Sequence, residues 1–105
     1  MVDDGVLDYV VRTIAERFDP ERIILFGSHA RGTAHRDSDL DLFIEMETPD
    51  RPHERAVKIR SAFGLYRQPM DIVVYTPAEV QRLRGKFWTL LSEIESQGRV
   101  LYERG

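Results

Sequence analysis

Apolar residues recur along the chain at two spacings, and the alternation between them predicts the elements. Val6, Leu7, Val10, Val11, Ile14 and Phe18 fall at three- and four-residue intervals, which predicts an amphipathic helix over roughly Asp4 to Arg17. Asp19-Pro20-Glu21 reads as a turn. Ile23-Ile24-Leu25-Phe26 is a short continuous apolar run, the pattern of a strand covered on both faces. From Asp39 to Glu45 the period changes to two. Leu40, Leu42 and Ile44 then share one face of a strand, and Asp39 and Asp41 share the other. After the loop Thr48-Pro49-Asp50-Arg51-Pro52 a helix is predicted near His53 to Phe63, and Met70 to Tyr75 is a third strand carrying Asp71.

Thr76-Pro77-Ala78-Glu79 opens another helix. Threonine caps it, proline takes the first helical position, and glutamate closes a capping box. That helix is expected to break at Arg84-Gly85, to resume through Phe87, Trp88, Leu90, Leu91 and Ile94, and to stop at Gly98. Val100-Leu101-Tyr102 is a short last strand.

Composition narrows the class. With 42% hydrophobic and 31% charged residues, the chain of 105 residues is of ordinary globular make-up and is expected to form one domain over 1–105. The absence of cysteine leaves neither a disulfide framework nor a thiolate metal site, which suits a reducing cytoplasm. Met1-Val2-Asp3-Asp4-Gly5 lacks the basic and apolar regions of a signal peptide, and no apolar run approaches a membrane span. A net charge of −3 offers no general attraction to nucleic acid, so direct nucleic-acid binding is not expected.

The acids carry the chemistry. On an extended strand Asp39 and Asp41 would stand about 6.5–7 Å apart on one side. Carboxylates that close repel and raise each other's pKa unless a cation lies between them. Magnesium, with its preference for carboxylate, water and phosphate oxygens, removes that conflict. Asp71 reaches the same patch if its strand neighbours the first. Three acids on one face could then hold two metal ions around a transferring phosphoryl group.

The segment Gly27-Ser28-His29-Ala30-Arg31-Gly32 supplies the complement. A strand runs into Gly27, a short helix is expected from Ser28, and Gly32 ends it in the left-handed conformation. Gly27 lets a phosphate approach the backbone, Ser28 offers a hydroxyl, and the helix start presents free N–H groups.

Other motifs fail on counting. Gly27 and Gly32 have P-loop spacing, but Thr33-Ala34 stands where lysine and a hydroxyl residue are required. Asp37, Asp39 and Asp41 imitate the start of an EF-hand, yet Leu42 replaces its glycine and Thr48 its bidentate glutamate. A phosphatase with an aspartate nucleophile needs its Asp-x-Asp at a strand end, whereas this one opens a strand. His29, His35 and His53 form no i, i+4 pair, which argues against zinc, and His29 is expected at the surface or at a substrate's edge.

Gly27-Ser28, the short helix with Ala30-Arg31-Gly32, Ser38-Asp39-Leu40-Asp41-Leu42 and the later Asp71 together resemble the polymerase-β-like nucleotidyltransferases. The small size and the closing Val100-Leu101-Tyr102-Glu103 are similar to the minimal members of that family. The resemblance implies an α/β (α+β) fold with a mixed sheet of about four strands packed against helices. It implies magnesium bound by Asp39, Asp41 and Asp71, with Asp71 also helping to activate an acceptor hydroxyl, and ATP held at Gly27, Ser28 and Arg31. Minimal members typically accompany a HEPN-domain ribonuclease toxin, bind it as antitoxin, and transfer AMP onto a tyrosine.

Two further readings stay open at this stage: a non-catalytic antitoxin that masks its toxin, and a small-molecule nucleotidyltransferase. Phe87, Trp88 and Leu91 exceed what one helix face needs, and two readings stay open for them: they pack on the sheet, or part of that surface docks a helical partner in a hetero-oligomer.

Overall fold

A computed structural model describes residues 4–35, 38–86 and 88–105. The first helix, α1 (Asp4–Phe18), buries Leu7, Val10 and Ile14, the stripe that the periodicity predicts. Strand β1 (Arg22–Phe26) runs directly into α2 (Gly27–Arg31), which Gly32 closes at φ 77°. Then follow β2 (Leu40–Glu45), α3 (Pro52–Ser61), β3 (Met70–Tyr75), α4 (Pro77–Leu83), α5 (Leu90–Gln97) and β4 (Arg99–Glu103).

The strands form one mixed sheet in the order β3-β2-β1-β4. β1 is antiparallel to both β2 and β4, whereas β2 and β3 are parallel and are joined by α3 as a crossover. Helices cover both faces. Leu40, Leu42 and Ile44 of β2 pack with Leu7, Val10 and Ile14 of α1 and with Ile59 of α3. On the other face Phe43 and Ile24 pack with Val80 of α4 and with Leu91 and Ile94 of α5. The period of two in β2 is therefore read out directly, since Asp41 lies on the Phe43 side. No helix among the described residues is long and apolar enough to cross a membrane.

One expectation at the C-terminal end needs correction, and one open alternative is decided. The last helix begins at Leu90, beyond Trp88. Thr89 Oγ1 accepts from the Ser92 N–H at 3.0 Å while Ser92 Oγ accepts from the Thr89 N–H at 3.0 Å, and this reciprocal cap fixes the start. Leu91 is fully buried against the sheet and contributes nothing to a surface, whereas Trp88 (66% exposed) and Leu90 (40% exposed) do face solvent. Phe87 lies outside the described residues.

The capping box at Thr76 forms as predicted, and Glu79 does more than cap. Its Oε1 accepts from the Thr76 N–H at 2.8 Å and from Arg55 Nη1 at 2.7 Å. Arg55, only 6% exposed, also donates to the main-chain oxygens of Asp50 (3.0 Å) and Val74 (3.2 Å). This pair ties α3 to the end of β3 and the start of α4. Glu79→Ala would leave a buried guanidinium without its counter-charge and remove one half of the cap. We expect a loss of about 3 kcal/mol in urea unfolding. A loss under about 1 kcal/mol, the value of an exposed pair, would show that the guanidinium is solvated instead.

Candidate active site

The site forms where β1 ends. Gly27 takes φ +72°, a left-handed conformation that turns the strand into α2. Phe26, the residue before it, is register partner to Asp41 of β2, and Asp41 in turn is partner to Asp71 of β3. Asp41 thus lies between the glycine turn on one side and a second carboxylate on the other. A Cβ added to Gly27 would collide with Asp41 Oδ2 and stand 2.9 Å from its Cγ. Only glycine leaves that carboxylate room.

The sequence expectation required β2 and β3 to be neighbours, and the parallel register makes them so. Asp41 is half-buried, while Asp71 and Asp39 are exposed, Asp39 standing just ahead of β2. Burial raises the Asp41 pKa above its ordinary value, and the negative charges of Asp71 and then Asp39 raise it further, against a smaller pull from His29 and Arg31. All of these groups therefore act on one carboxylate. Beneath it Phe43 is fixed by the edge-on Tyr75 ring (centroids 5.6 Å apart, 89° between planes) and by the Arg22 guanidinium 5.4 Å from its centroid.

The α2 residues complete the geometry. The Ser28 carbonyl accepts from the Gly32 and Thr33 N–H groups, closing the short helix. Its hydroxyl makes no hydrogen bond among the described residues. Arg31 is exposed and lines a small cavity of about 190 Å³ together with Phe26, Gly27, Leu90, Glu93 and Gln97. Sequence reasoning missed this contribution of α5, because nothing local places it beside α2. His29, expected at the surface or at a substrate's edge, is half-buried beside the site, with Nε2 3.2 Å from the carbonyl of Ser38, which precedes Asp39.

The donor set fits a hard dication: every acid is a carboxylate, and their mutual repulsion is the electrostatic condition that a cation relieves. Among the described residues no three His, Asp or Glu side chains close into a ready metal cage. What the fold provides is a negatively charged edge, with Asp41 at its centre.

A mixed sheet with a glycine turn facing paired aspartates on adjacent strands defines a nucleotidyltransferase core. The sequence profile of the nucleotidyltransferase domain matches residues 7–102, and the chain belongs to that family. Among solved structures it is similar to a toxin-antitoxin crystallised with AMP-PNP (25% identity, TM-score 0.59, covering 93% of this chain and 73% of that one). A candidate nucleotidyltransferase from Sulfolobus solfataricus shares the fold at 19% identity and TM-score 0.65, over 95% of this chain and 79% of that one. So does a double aspartate-to-glutamate mutant of the toxin-antitoxin MntA-HpeT, at 24% identity and TM-score 0.62, over 93% and 73%. No curated protein matches the chain.

Proposed function

We propose that this nucleotidyltransferase moves AMP from ATP to the hydroxyl of a tyrosine on a HEPN-family toxin, in the cytoplasm, and so acts as its antitoxin. The observation that carries the reading is the crowding of Asp41 between the Gly27 turn and Asp71, an arrangement suited to a phosphate cradle joined to a cation platform. The similar toxin-antitoxin with AMP-PNP supports both the nucleotide and the partner.

In this reading Gly27, Ser28 and Arg31 hold the triphosphate, with the Ser28 hydroxyl and the Arg31 guanidinium taking phosphate oxygens. Asp39, Asp41 and Asp71 would hold magnesium, which when bound neutralises charge on the phosphates. The tyrosine oxygen forms its bond to the α-phosphorus as the bond to pyrophosphate breaks. Asp71, exposed on edge strand β3, takes the hydroxyl proton. Because so little covalent work falls to the protein, positioning of the acceptor dominates. Leu90, which lines the small cavity with Gly27 and Arg31, and Trp88, exposed two residues before it, are suited to dock the partner in a hetero-oligomer.

The test is to co-purify chain and partner, add ATP and magnesium, and weigh the partner by mass spectrometry. AMP on a tyrosine is the expected result, and Asp71→Ala should lose the transfer while the complex still forms. Exposed Trp88 also favours a second reading, a module that masks its toxin. An inhibited but unmodified partner would establish that reading and reject transfer.

A further inference from the structure

At the far end of β3 from Asp71 lies a separate cavity of about 530 Å³, within the size range of small-molecule sites. Its walls are apolar: Pro52 at the start of α3, Val74 and Tyr75 at the end of β3, and Leu83 at the end of α4. Two cations, Arg82 and Lys86, also line it, and neither pairs with an acid among the described residues. The other charged groups in the wall are committed. Arg55 gives its donors to Glu79, Asp50 and Val74, and the Glu79 carboxylate is taken by Arg55 and the Thr76 N–H. That ion pair neutralises itself, so the charge presented to a ligand is positive. The Tyr75 ring, held edge-on by Phe43, offers a flat surface, and its hydroxyl has no hydrogen-bond partner among the described residues.

We propose that this cavity binds a small aromatic anion, one planar ring system carrying a single sulfonate, carboxylate or phosphate group. The ring would lie against Tyr75, Val74 and Leu83, and the anion would meet Arg82 and Lys86. Solvated cations at a helix end would need no apolar chamber beside them, and an apolar chamber alone would not select charge. The two features together define the ligand class.

The probe is 8-anilinonaphthalene-1-sulfonate, titrated by fluorescence into the full chain without ATP or partner. We expect one saturable site, methyl NMR shifts at Val74 and Leu83 but not at Leu90 or Ile94, and competition by phenyl phosphate but not by inorganic phosphate. The double variant R82Q/K86Q should weaken binding by about tenfold or more, with the melting temperature within about two degrees of wild type because both side chains are exposed. Affinity held within twofold in that variant would overturn the site. So would shifts confined to the Gly27 region, or displacement by ATP with magnesium, which would move the probe to the aspartate face. Displacement by an acidic peptide but not by phenyl phosphate would assign the cavity to a protein partner and reject the small anion.

Discussion

Asp41→Asn should make the metal-free protein more resistant to heat while removing its transfer activity. The two effects share one cause. Burial and the charges of Asp71 and Asp39 raise the Asp41 pKa, so the fold favours the protonated acid. The native state then holds more protons than the unfolded chain between the ordinary carboxylate value and the raised one, and stability falls as pH climbs through that window. Above it the charged Asp41 imposes its full cost. Asparagine keeps the shape and never acquires the charge, so the variant should melt a few degrees above wild type at pH 8 without metal. At a pH below the window the advantage should vanish. Magnesium should reverse the order by stabilising wild type alone. If the carboxylate supplies about 4 kcal/mol of transition-state stabilisation, transfer drops about a thousandfold. Asp39→Asn should lose comparable activity with less gain in stability, because Asp39 is exposed. Near-normal transfer by either variant with magnesium present would sink the metal assignment. A lower melting point for Asp41→Asn at pH 8 would contradict the repulsion.

The parts of this site that were legible in sequence are those fixed by local period and local caps. The alternation of Asp39, Leu40, Asp41 and Leu42 gives the acidic face without knowledge of the neighbours, and Thr76 with Glu79 gives a helix start within four residues. Gly32 likewise marks the end of α2 through its own backbone angle. Tertiary placement was not legible. Arg55 sits in a helix rich in charge, and nothing in that run marks it as the one that is buried, because its partner Glu79 comes from another element. Leu91 reads as surplus apolar surface only until both sheet faces are known to be covered; α5 spends it on Phe43 and Ile24. The pairing of Asp41 with Asp71 required the order of the strands, which local spacing does not encode. The half-burial of His29 had no local signal either, since the carbonyl it approaches belongs to Ser38 beyond the helix.

Gly27→Val should cost both stability and nucleotide binding, and Ser28→Ala binding alone. At φ +72° a β-branched residue is strained by about 1–3 kcal/mol wherever it occurs. Here the new side chain would also enter the space of Asp41 Oδ2 from the β1 side and push the carboxylate towards Asp71, adding to their repulsion. The backbone that approaches the triphosphate and the acid that faces it are disturbed together. We expect AMP-PNP affinity, measured by calorimetry with magnesium, to fall about a hundredfold or more. Ser28→Ala removes one hydroxyl from an otherwise intact turn, and a single lost hydrogen bond of about 1 kcal/mol predicts roughly a fivefold fall. Unchanged affinity in both variants would refute the cradle. A double-mutant cycle separates the collision from the lost approach. In an Asp41→Ser background the carboxylate that Gly27→Ala would strike is gone, so the stability penalty of Gly27→Ala should shrink towards that of the backbone strain alone. Its effect on AMP-PNP should persist, because the Cβ still blocks the phosphate. Equal stability penalties in the two backgrounds would mean that Asp41 moves aside freely, and that glycine is required at this position by the turn and the nucleotide rather than by the acid beside it.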